Sequence, residues 1–103
     1  MRKLDELAFT GILGNLAEVN RKLGHYNSAF NIGSEALALA KKMKKRKAIA
    51  MVSLTLAYTE YARHHYQSAI VFAQQALDFF ERSGLYYKEI DEVKSLIKDC
   101  RQH

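Results

Sequence analysis

Two stretches of this chain, forty residues apart, are built on one pattern. Leu16-Ala17, His25-Tyr26-Asn27-Ser28-Ala29 and Ala36-Leu37 return as Leu56-Ala57, His65-Tyr66-Gln67-Ser68-Ala69 and Ala76-Leu77. Self-similarity at a fixed spacing of this size marks stacked helical hairpins, because one hairpin cannot bury its apolar faces alone. The repeat therefore dictates an all-α fold before any local propensity is weighed. It also directs attention to surfaces that hold other molecules.

Apolar spacing places five helices, at about 3–23, 27–43, 46–63, 67–82 and 87–101, in one domain spanning residues 1–103. The first carries Leu4, Leu7, Ala8, Ile12, Leu16, Val19 and Leu23 at helical intervals, and Gly24 stops it. The second and fourth match position by position: Tyr26, Ala29, Gly33, Ala36 and Leu37 against Tyr66, Ala69, Ala73, Ala76 and Leu77. Their small residues allow helices to approach closely. A second apolar stripe on these helices, Ile32 and Leu39 or Phe72 and Phe79, requires neighbours on both sides. The fifth helix sets Ile90, Val93, Leu96, Ile97 and Cys100 opposite Asp91, Lys94, Ser95, Lys98 and Arg101, the pattern of a terminal cap.

The combination Leu16-Ala17, Gly24-His25-Tyr26, Ala29 and Ala36-Leu37, with its copy around Tyr66, resembles the tetratricopeptide repeat. The resemblance covers roughly residues 10–82, and Leu96 begins a third, incomplete copy. The usual unit is about 34 residues, so this spacing is similar to the longer variant found in spindle-orientation adaptors, kinesin light chains and bacterial signalling regulators. Departures are Leu13 and Ser53 where an early Trp is usual, Gly33 and Ala73 where a large aromatic is usual, and no Pro after the hairpin. The resemblance implies a helical stack whose first helices line a concave binding surface. It places Asn15, Glu18, Lys22, Met51, Thr55 and Tyr58 on that surface, followed by Asp91, Lys94 and Lys98 from the last helix. Asn15 resembles the family residue that holds a peptide backbone, since its amide both donates and accepts. The two-carboxylate clamp of chaperone-binding members is not expected, because Gly14, Glu18 and Thr55 occupy its other positions.

One junction lacks turn chemistry. From Leu39 to Val52 there is no Gly, Pro, Ser, Thr, Asn or Asp, so nothing there caps a new helix. An unbroken helix across 27–63 would separate the two hairpins and let two chains exchange halves. Two repeats are also fewer than the roughly three a stable stack normally needs. A swapped homodimer and a bent monomer are the two arrangements left open.

The formal charge of +5 is concentrated in Lys41, Lys42, Lys44, Lys45, Arg46 and Lys47. Without those six, 10 basic residues stand against 11 acidic ones. The run reads as a solvated helix end, or as a contact for an acidic protein, a membrane surface or nucleic acid. No aromatic side chain lies among the lysines, which argues against base stacking.

Catalysis has little footing. There is no phosphate-cradling glycine loop, paired-His zinc helix or nucleophile elbow. His25 and His65 are equivalent positions one repeat apart and do not share a metal. Cys100 is the single cysteine and reads as a small apolar residue. No apolar run reaches the length of a membrane span, and acids near the N-terminus argue against a signal peptide, so the cytoplasm is the expected compartment. The expectation is a non-catalytic protein- or peptide-binding scaffold without cofactor or metal. The rival is a regulatory fragment of a transcription or signalling regulator that uses the basic run. Salt dependence of binding separates the two.

Overall fold

The computed structural model describes residues 3–103, apart from the side chains of residues 3–5 and 7. Leu4 and Leu7, the first apolar residues of the helical spacing on the first helix, are among those whose side chains are not described. Five helices follow one another: α1 (Lys3–Lys22), α2 (Tyr26–Lys42), α3 (Arg46–Ala62), α4 (Tyr66–Ser83) and α5 (Tyr87–Arg101), with no strand among the described residues. Each helix packs on the next. In addition α1 touches α3 and α3 touches α5, whereas α2 and α4 stay apart. The first helices of the hairpins therefore form the tighter, inner layer of a curved stack, and α2 and α4 form the outer layer.

The turns set the cadence. A left-handed residue recurs every twenty positions: Gly24 at φ 83°, Lys44 at 55°, His64 at 64° and Gly84 at 68°. The first three close the same hydrogen-bonded loop. Lys44 N–H donates to Lys41 O and Lys45 N–H to Ala40 O, as His64 does to Tyr61 and His65 to Glu60. This is the Schellman termination of a helix. Its last residue then starts the next helix, with Lys45 O accepting from Ile49 N–H.

Of the two arrangements left open by the sequence, this fold is the bent one: the chain turns at Met43-Lys44-Lys45, between the helices expected at 27–43 and 46–63. The termination needs no polar cap, only one residue able to occupy the left-handed region. Lysine occupies it at a cost of about 1–2 kcal/mol. The helices that follow begin without side-chain caps at His25, Lys45, His65 and Tyr86.

Two cores fill the stack. One joins α1, α2 and α3 through Leu13, Ala36, Leu37, Val52 and Leu56. The other joins α3, α4 and α5 through Leu54, Ala57, Ala73, Phe80, Val93, Leu96 and Ile97. Phe72 packs against both. The link between layers is a leucine set on a small residue. A Cβ added to Gly33 would stand 2.8 Å from Leu56 Cδ2 and 3.2 Å from its Cγ. Leu56 is fully buried there, which contributes about 2–3 kcal/mol. One repeat on, Leu96 and Ala73 share the second core.

The first copy of this leucine has no seat. Ile12, Leu16, Val19 and Leu23, apolar residues at helical spacing on α1, are exposed, Leu16 by 45%. α1 instead turns Thr10, Leu13 and Ala17 to the core. Helical periodicity marked an apolar stripe on α1 correctly but could not say which of its two apolar faces finds a neighbour. Among the described helices, α2 and α3 cover only the other face.

Candidate functional site: the inner groove

The inner layer forms the floor of a groove with two hollows. The first, a cavity of about 260 Å³, lies between α1 and α3 and is lined by Gly11, Gly14, Asn15, Glu18, Met51 and Thr55, among others. Small residues make it: a Cβ on Gly14 would already touch Val52 at 3.5 Å, so α1 lies close on α3. Thr55 spends its hydroxyl on Met51 O at 3.3 Å, so its methyl group is what it offers a ligand. Asn15 is exposed, and so is Met51.

The second cavity, about 440 Å³, lies between α3 and α5 and is lined by Tyr58, Tyr61, Asp91, Glu92, Ser95, Leu96 and Asp99. The guanidinium of Arg21 sits 5.1 Å from the centre of the Tyr58 ring and also pairs with Glu18. It therefore ties the α1 wall to the middle of the groove. Burial and the Glu92 carboxylate push the Tyr58 hydroxyl above its ordinary range, against the opposing pull of Arg21. The phenol stays a neutral donor at physiological pH. Three carboxylates on α5 make this half of the groove acidic.

The structure thus gathers Asn15, Glu18, Met51, Thr55 and Tyr58 along one face. Lys22 is exposed in the last turn of α1, beyond either hollow. Lys94 and Lys98 line a different cavity, with Gln74, Leu77, Ile97 and Arg101, on the side of α5 away from α3. The repeat register explains Lys94. It stands forty residues after Leu54, whose side chain packs toward the next helices in the stack, so Lys94 faces out from the α5 end of the described stack. Sequence reasoning missed Arg21, Glu92 and Asp99. Arg21 sits one helical turn after Glu18, a visible pairing signal; nothing comparable marks the two acids.

All six side chains of the basic run are exposed around the α2–α3 turn. Lys42 pairs with Glu6 at 3.1 Å. No group of His, Cys, Asp and Glu able to hold a metal occurs among the described residues. No described helix is long and apolar enough to cross a membrane.

Paired helices in phase, curved around an open groove, define a helical-repeat interaction scaffold. The family profile of the tetratricopeptide repeat matches residues 10–82, and the chain belongs to that family. No curated protein and no solved structure matches the chain. Tetratricopeptide repeats serve generally as protein–protein interaction scaffolds.

Proposed function

We propose that this chain is a non-catalytic scaffold that holds an extended segment of another protein in the groove of α1, α3 and α5. The uncovered groove, apolar and amide-bearing at one end and tyrosine- and carboxylate-lined at the other, carries this reading. Met51 and Tyr58 act as apolar anchors, and Asn15 addresses the ligand backbone. Asp91, Glu92 and Asp99 favour a segment carrying positive charge at that end. Self-association of two chains, by exchange of halves or through an outer face, belongs to the same reading, since two repeats make a short stack.

Fluorescence anisotropy with two labelled peptides tests the groove, one built on Lys and Leu, the other on Glu and Leu with equal apolar content. The lysine peptide binds more tightly, and Met51→Ala with Tyr58→Ala weakens it at least tenfold. Unchanged binding by that folded variant refutes the groove as the site.

The basic run supports a second reading. Six exposed cations in one turn offer a contact for an acidic protein surface or nucleic acid. Binding of this kind falls steeply with salt and disappears when Lys44, Lys45 and Lys47 become Gln. The same changes leave groove binding intact.

A further inference from the structure

Beyond the groove and independent of its ligand, we propose that the outer face of α1 is a self-association surface that joins two copies of this chain antiparallel. Phe9, Ile12, Leu16, Val19 and Leu23 follow one another at intervals of three, four, three and four residues. That is the seam spacing by which two like helices interlock. All five are 36–64% exposed, and they lie on a different face of α1 from Thr10 and Ala17, which it turns to the core.

The molecule itself shows what this face is built for. Forty residues on, Val52, Leu56 and Thr59 occupy the register of Ile12, Leu16 and Val19, and all three are buried in the stack. The face is thus a helix-docking face that no described helix covers.

Two observations select a second copy in antiparallel array. First, the far end of the stack cannot serve. It presents Lys94, Lys98 and Arg101 around Leu77 and Ile97; Lys94 pairs with Glu81 at 3.8 Å, and seating the α1 seam there would bury Lys98 and Arg101 with no acid opposite them on the seam. Head-to-tail growth is disfavoured, whereas an isologous pair matches seam to seam and closes on itself. Second, the last turn of α1 is basic, with Arg21 and Lys22. A parallel pair sets these turns side by side; an antiparallel pair separates them and opposes the helix dipoles. The five side chains expose roughly 500 Å² of apolar surface per chain, so pairing removes at most about 1,000 Å². That is the lower limit of a specific interface and fits a weak dimer whose two grooves stay open.

Sedimentation equilibrium on the full chain, from about one to several hundred micromolar, tests this. The expected result is a mass rising to twice that of the chain. Ile12→Lys with Val19→Lys raises the dissociation constant at least tenfold while the helical circular-dichroism signal is kept. Leu23→Lys, at the most exposed seam position, repeats the test if the double variant fails to fold. Lys44→Gly dimerises as the natural chain does. A natural chain that stays monomeric throughout overturns the proposal. So does a folded seam variant that dimerises unchanged. Loss of the dimer in Lys44→Gly alone also overturns it, because the association would then run through exchange at the 43–45 turn.

Discussion

Replacing Lys44 by glycine isolates the energetics of the turns. Lys44 holds φ 55°, and an L-residue in the left-handed region gives up about 1–2 kcal/mol relative to glycine. Glycine gains more freedom in the unfolded chain, which returns about 0.4–1 kcal/mol of that. The Lys44 side chain is exposed and forms no ion pair or side-chain hydrogen bond among the described residues, so little else is lost. Lys44→Gly should therefore stabilise the fold by about 0.5–1 kcal/mol, raising the melting temperature by about 2–8 °C. Thermal denaturation followed by circular dichroism at low protein concentration reads this directly. Lys44→Ala keeps the left-handed cost and should melt within about 2 °C of the natural chain. The equivalent His64→Gly should gain less, since His64 Nδ1 lies 2.7 Å from the Tyr66 hydroxyl and that bond would go. A Lys44→Gly chain melting at or below the natural one would refute the account of the turn.

Lys45→Asp places an acceptor at an uncapped helix start that carries no acid in its first turn; denaturant titration should show a gain of about 1 kcal/mol. Gly33→Ala adds a Cβ 2.8 Å from buried Leu56. Overpacking of about 1–3 kcal/mol outweighs the helix-propensity gain of about 1 kcal/mol, so the variant should melt lower. Burial, and less so Asp99, push the Cys100 thiol above its ordinary range. At pH 7.5 an aromatic disulfide reagent should therefore label the native chain far more slowly than the guanidinium-unfolded chain, and equal rates would contradict its burial.

The small-residue ladder made the hairpins readable, because Ala29, Ala36, Ala69 and Ala76 leave no room for another packing. The boundary between α2 and α3 was readable, but whether the chain bends or runs straight there stayed open for a physical reason. A Schellman termination is a property of main-chain geometry, and a lysine able to tolerate it looks like any other helix former. Position was the available clue, since Lys44 stands twenty residues from both Gly24 and His64. The resemblance put Asn15, Glu18, Met51, Thr55 and Tyr58 of α1 and α3 on one surface, and these side chains do line the hollows of the inner layer. On α5 the copy is incomplete: Asp91 lines the hollow as expected, but Glu92 and Asp99 join it where Lys94 and Lys98 were expected. The stripe on α1 was legible as apolar but not as uncovered, since exposure depends on a neighbour and not on the helix bearing it.

The seating of Leu56 over Gly33 restricts how a chain of this design can change length. One residue inserted within α2 after Gly33 would rotate everything downstream on that helix by about 100° relative to the seat, and the same slip before it would carry the seat away from the leucine. Lengthening that spares the packing is confined to the bends, or comes as whole paired-helix modules that bring leucine and notch together. Size in such a protein is inherited in discrete steps.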